Sequence, residues 1–224
     1  MDPANTLLLA AAIAFVGTHF ALSHPLRAPL VGAVGETGFM GVYSLVSLAT
    51  FVWMVMEFRA APEGDLPGSG EIGWIVATVL TLPALVLFLG SLVKNPAMPN
   101  PKAPTTIDRA PTGAFAVTRH PMMWGFALWG IAHIVLWWDV RTLIVAVAIT
   151  FLALVGAHMQ DRKKEALLGD AWAGWEARTS YWPQWGNLLS AGWGLWLAGL
   201  VLWLAVTFAH MPGAGIAAGI WRWF

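Results

Sequence analysis

Cysteine is absent from this 224-residue chain, and charge is scarce: only 11% of residues are Asp, Glu, Lys or Arg. The missing thiols exclude disulfides, thiolate ligands to a metal or haem, iron–sulfur clusters and covalent haem attachment through C-x-x-C-H. The scarcity of charge excludes a water-covered surface, since soluble domains carry roughly 25% charged residues. Neither sign is in excess, because 12 Lys plus Arg balance 12 Asp plus Glu. No basic footprint or motif for nucleic acid results. No phosphate loop, general base or nucleophile pair of the soluble hydrolase or kinase type is apparent.

What the chain does contain is apolar. Hydrophobic residues make up 58% of it, with 15 tryptophans and a mean hydropathy of +0.67. Indole rings favour the membrane–water interface. A bilayer core of ~30 Å needs about 20 apolar helical residues. Six stretches fit this, at 6–22, 38–58, 72–93, 122–138, 141–158 and 188–210. The runs are continuous rather than alternating, and backbone polar groups in lipid must be satisfied within each segment. The fold class expected is therefore all-α: a polytopic integral membrane bundle of about six transmembrane helices in one domain spanning 1–224.

The connections differ in character. Segment 94–117 carries Pro96, Pro99, Pro101, Pro104 and Pro111 and reads as extended and irregular. Segment 161–182 opens with Asp161-Arg162-Lys163-Lys164-Glu165 and continues with Trp172, Trp175 and Trp182. It reads as an amphipathic helix on the membrane surface, with its tryptophans as anchors. Six spans put Arg27, Lys94, Lys102, Arg109, Arg119, Arg162, Lys163, Lys164 and Arg178 on one side. Arg59, Arg141 and Arg222 fall on the other, nine against three. The basic side is expected to face the cytoplasm of a bacterial inner membrane, with both termini periplasmic.

Six histidines punctuate the spans, and ionisable side chains at membrane depth are functional candidates. His19, His24, His120 and His158 lie towards the basic side. His133 sits deeper in the fourth span, and His210 ends the sixth on the opposite side. Two His-Pro pairs recur, at His24-Pro25 and His120-Pro121. Proline suits the first turn of a helix, so Thr118-Arg119-His120-Pro121 should start the fourth helix. Its free N–H groups, aided by Arg119, would suit a carboxylate or phosphate. Lipid headgroups offer the same chemistry, and Asp161 is placed to face that helix start. Met54, Met56, Met122, Met123 and Met159 read as packing.

These motifs carry a resemblance. THFALSHPLR (18–27), YSLVSL (43–48), TRHP followed by WGIAH within 113–138, DRKKEALLGDAWAGWEARTSYWP (161–183) and TFAH (207–210) resemble the NnrU family. That family is related to 15-cis-ζ-carotene isomerase and is associated with bacterial nitrite and nitric oxide metabolism. The resemblance implies non-covalent haem b, with His19 and His133 as iron ligands and catalytic residues, and His120, Arg119, His24 and His158 as further cofactor-binding candidates. It also implies a lipophilic polyene as substrate and membrane lipids as surroundings. The isomerase's alternative cysteine ligand falls on Gly130, so a cysteine-for-histidine switch is impossible here. More faintly, TRHP with the downstream Trp-rich segment resembles membrane methyltransferases of the isoprenylcysteine type. That implies S-adenosylmethionine held by Arg119, His120 and Asp161 or Glu165. A third expectation is a non-enzymatic assembly or haem-handling partner of a membrane oxidoreductase. Depth arithmetic strains the haem pair: His133 lies roughly 20 Å along its helix from His120, and His19 only ~5–13 Å from the basic edge.

Overall fold

Apolar runs bounded by capping residues become helices. The fold is that of a computed structural model describing residues 2–64, 68–97 and 107–224. Pro99, Pro101, Lys102 and Pro104 lie outside the described residues. Helix α1 (Pro3–Ser23) opens with the Asp2 carboxylate accepting from the Ala4 N–H at 2.8 Å. Helix α2 (Arg27–Ala60) is broken by Gly35 at φ 73°, a left-handed value that glycine adopts without a Cβ penalty. Across the break Arg27 donates to both oxygens of Glu36 at 3.0 Å. Helix α3 (Gly70–Ser91) follows. Helix α4 (Pro121–Leu136) has proline in its first turn, as its sequence predicts. Helix α5 (Val140–Leu168) is capped by Asp139, which accepts from the Thr142 N–H and hydroxyl at 2.8 and 2.9 Å. Helices α6 (Asp170–Arg178) and α7 (Trp193–Ala214) complete the chain.

Five of these helices, α1, α2, α3, α5 and α7, are long and apolar enough to cross a membrane. The sixth apolar helix, α4, has only 16 residues. It lies between α3 and α5 and packs on both. The helices therefore form a row in the order α2, α1, α5, α4, α3, α7. The row curls, because Phe51 of α2 and His210 of α7 line one cavity. Small residues set the close approaches. A Cβ on Gly125 would lie 2.7 Å from the Ala84 carbonyl of α3, and one on Gly130 would lie 2.9 Å from the Ala146 carbonyl of α5. Large apolar side chains such as Leu45, Val79 and Leu197 remain exposed, as a lipid-facing surface requires.

Four sequence expectations are corrected. The fifth span does not stop at His158: α5 runs on to Leu168, so Asp161–Leu168 continues a membrane helix instead of opening a surface one. The expected surface helix 161–182 is divided at Gly169, whose φ of 52° ends α5, and only Asp170–Arg178 forms a separate helix. Trp172 and Trp175 are not anchors. They are buried against Ala97, Ile107 and Phe115, while Trp182 alone of the three is exposed. The sixth span begins late, since Trp185–Ala191 is a 3-10 turn ahead of α7. The tail after α7 folds back, and its Arg222 pairs with Glu71 at the start of α3 at 2.6 Å.

Candidate functional site

Two groups of the singled-out residues assemble, at opposite ends of the bundle. The first is at the end where α1 and α5 finish and α4 begins. Segment 180–184 runs alongside 117–119: Arg119 N–H donates to the Ser180 carbonyl and Gln184 N–H to the Val117 carbonyl, both at 2.8 Å. Thr118 Oγ1 donates to the Tyr181 carbonyl at 2.8 Å, and Trp124 Nε1 to the same oxygen at 2.8 Å. This strap fixes the start of α4. Arg119 then reaches Asp161 Oδ2 through Nε at 2.9 Å and Nη2 at 2.8 Å, and His120 Nε2 meets Asp161 Oδ1 at 2.8 Å. Arg119 Nη2 also lies 3.3 Å from Glu176 of α6. His120 and Asp161 side chains are each 1% exposed.

The chemistry of this cluster is that of a closed ion-pair network. Both oxygens of Asp161 are occupied, and the Arg119 charge is matched by two carboxylates. Beside it lies a cavity of about 20 Å³ lined by Asn95, Arg119, His120 and Gln160, which is water-sized. His120 Nδ1 is buried without a partner among the described residues. Burial and a hydrogen bond with Glu165 push the Glu176 carboxyl above its usual range, with Asp161 adding to the effect and Arg119 opposing it. Burial and the Asp161 charge also raise Tyr181; its hydroxyl donates to the Leu154 carbonyl at 2.6 Å.

His24 joins the same end. Its Nδ1 meets Ser23 Oγ at 2.8 Å and its Nε2 lies 3.4 Å from the Met159 carbonyl, which docks the end of α1 on α5. His158 is exposed on α5 and joins none of these bonds. His19 is half-buried in α1, its Nδ1 donating to the Phe15 carbonyl at 2.7 Å and its ring 5.6 Å edge-on from Tyr43 of α2.

The second group lies at the other end. His133, in the last turn of α4, lines a half-open cavity of about 380 Å³ between α3, α4 and α7. That volume falls in the range of about 300–1,000 Å³ usual for small-molecule sites. The walls are mostly apolar and aromatic, including Trp74, Phe126, Trp129 and Trp203. His133 Nδ1 donates to the Trp129 carbonyl at 2.8 Å, and the Trp129 ring lies 4.2 Å from the imidazole. A carbonyl only accepts, so Nδ1 carries the hydrogen and Nε2 keeps a lone pair, the form that binds a metal. Thr78 Oγ1, on the same cavity, is buried without a hydrogen-bond partner among the described residues. His210 lines this cavity too, while His19 does not.

Sequence reasoning thus brought Arg119, His120 and Asp161 together but missed His210 and Thr78 as neighbours of His133. The signal available was depth, since His133 and His210 both fall near span ends on the side away from the basic loops. Gly130 is occupied by packing: a cysteine there would drive its Cβ into Ala146 and Thr150 of α5. A family model described as NnrU protein matches residues 7–218. No curated protein and no solved structure matches the chain.

Proposed function

This chain belongs to the NnrU family, and from that premise we propose that it is an integral membrane protein that binds haem b through His133, in a cavity that receives lipophilic molecules. The observation that carries the reading is the His133 cavity of about 380 Å³. It joins an imidazole in the ligand tautomer, an orphaned threonine hydroxyl and a wall of aromatic rings in one apolar space. The donor set is nitrogen without sulfur, which suits haem b and excludes thiolate tuning. When bound, such a group would supply redox-active iron to a polyene double bond or a nitrogen oxide. The chain's own contribution is to hold the imidazole by the Trp129 carbonyl, to keep water from the slot with Trp74, Trp129 and Trp203, and to offer the Thr78 hydroxyl. Cis–trans isomerisation of a polyene and a role in nitrite or nitric oxide metabolism are the two activities this site would serve. The nine Lys and Arg counted on the His120 side support that side facing the cytoplasm of a bacterial inner membrane, both termini being periplasmic.

The convergence of Arg119, His120 and Asp161 favours a second reading, an S-adenosylmethionine-dependent methyltransferase. Its weakness is charge balance. Asp161 and Glu176 already hold the Arg119 guanidinium that would take the carboxylate of that cofactor. A non-enzymatic role in assembly or haem handling shares the His133 site and differs by the lack of turnover. The test is an absorption spectrum of detergent-purified protein from haem-supplied cells, oxidised and reduced. A Soret band with sharp reduced α and β bands, lost in His133→Ala, is expected. A flat spectrum at stoichiometric protein would sink the haem reading and turn attention to nucleotide binding lost in Arg119→Ala.

A further inference from the structure

We propose that the seam between α1 and α5 binds one anionic phospholipid, with its phosphodiester on Lys163 beside Arg27 and its acyl chains along Phe20 and Phe151. The site lies apart from the His133 cavity and is independent of what that cavity holds. The two helices pack side by side, and three contacts mark the seam in order. Phe20 meets Phe151 edge-on at 6.1 Å between ring centroids and covers Gly156, where a Cβ would lie 4.0 Å from its ring. Phe151 is exposed, so this part of the seam faces the lipid chains. One turn higher, His24 Nε2 lies 3.4 Å from the Met159 carbonyl. At the top, Arg27 N–H donates to the His24 carbonyl at 3.3 Å, while Lys163 follows Met159 by four residues and so shares its face of α5. Aromatic rings at depth and cations at the mouth are the two halves of a site for an anionic lipid between membrane helices.

Charge decides the headgroup. Lys163 is half-buried, and the ion pairs at this end of the bundle pass it by. Arg27 pairs with Glu36, Arg119 with Asp161 and Glu176, and Arg162 with Glu165. Lys164 donates to the Pro96 carbonyl at 3.2 Å, a neutral partner. Among the described residues, no salt bridge includes Lys163 or Lys164, and residues 98–106 contain Lys102 but neither Asp nor Glu. Arg27 and Lys164 both repel Lys163. A phosphodiester set there is attracted by several cations at once. Glu36 has both oxygens engaged by Arg27, which leaves the field positive and favours an anionic headgroup over a zwitterionic one. Arg119 is no rival for the headgroup, because two carboxylates already hold it.

The experiment titrates the detergent-purified full chain with phosphatidylglycerol, phosphatidylcholine or sodium phosphate. Bound lipid is counted by native mass spectrometry, and the unfolding midpoint is followed in parallel. Wild type is expected to retain one phosphatidylglycerol under detergent conditions that strip phosphatidylcholine, and to melt higher when it is bound. Lys163→Gln should bind phosphatidylglycerol about fivefold more weakly, the worth of one lysine at an anionic surface, and Lys163→Gln with Lys164→Gln more weakly still. Lys163→Arg should bind as wild type does, and so should Arg162→Gln, whose residue is paired and exposed. Without lipid, Lys163→Gln should melt no lower than wild type, because it removes a repelled cation; this separates a lost headgroup contact from a lost fold. Equal phosphatidylglycerol binding by wild type and the double variant overturns the proposal. Equal retention of the two lipids by wild type overturns it too. A midpoint raised as much by sodium phosphate as by phosphatidylglycerol replaces the lipid with a free anion and overturns it as stated.

Discussion

Asp161 ties the start of α4 to α5. Its two oxygens accept from Arg119 and His120, and its side chain is 1% exposed. Removing one member of a buried ion pair leaves an uncompensated charge, at a cost of about 3–5 kcal/mol. Asp161→Ala should therefore lower the thermal unfolding midpoint in detergent sharply, and the companion change Arg119→Met should recover part of the loss. A midpoint unaffected by Asp161→Ala would mean that the network does not tie α4 to α5. Glu176, beside it, adds a pH dependence. Its carboxyl is held above the usual glutamate range by burial first, then by Glu165 and Asp161. The folded chain then binds this proton more tightly than the unfolded chain, so the contribution of Glu176 to stability is fully present in acid and is lost as pH rises through its raised folded value. Glu176→Gln should flatten that fall, as measured by unfolding midpoints across the acid range.

At the scale of helices, small residues decide how close the row can pack. Gly130 is the clearest case, since α4 meets the Ala146 carbonyl and Thr150 of α5 at that point. Gly130→Ala must push α4 from α5, and overpacking of this kind costs about 1–3 kcal/mol. The predicted readout is a lowered midpoint with helix content unchanged, and a larger loss for Gly130→Cys. An undisturbed Gly130→Cys protein would show that the position is free to carry a ligand after all. Gly169 acts differently, by ending α5 at φ 52° and turning α6 back. Arg178 of α6 then donates to the Ile107 carbonyl at 2.6 Å and the Arg109 carbonyl at 3.2 Å. The result buries Trp172 and Trp175 in protein instead of leaving them to lipid.

At the scale of the whole molecule, the absence of cysteine becomes an experimental advantage. Glu36 and Glu63 are exposed near opposite ends of the long helical part of α2. A single cysteine at Glu36→Cys should react with an impermeant thiol reagent only from the cytoplasmic face, and one at Glu63→Cys only from the other face. Reversed labelling would invert the topology. The curl of the row also makes the cavity depend on distant helices, with Phe51 of α2 and Val206 of α7 both lining it. On the haem reading proposed above, Val206→Trp should fill that space and lower haem retention, as read from the ratio of Soret to protein absorbance, with helix content kept.

Six apolar runs, the proline at the start of α4 and the caps at Asp2 and Asp139 follow from local chemistry, because a segment in lipid must satisfy its own backbone and a capping side chain acts within three residues. The meeting of Asp161 with the Arg119-His120 turn was legible for the same reason: both sit at span ends on one side, so topology alone brings them to one level. Where α5 ends was not legible, since Asp161–Leu168 is polar enough to leave the membrane and its helix persists only until the left-handed Gly169. Nor was the fate of Trp172 and Trp175, because an indole suits an interface and a core equally and the choice depends on the segment folded over it. The neighbour of His133 was decided by tertiary structure. Sequence gives depth along each helix but not the order of helices around the bundle, and it is the packing of α3 between α4 and α7 that sets His210, and not His19, on the same cavity.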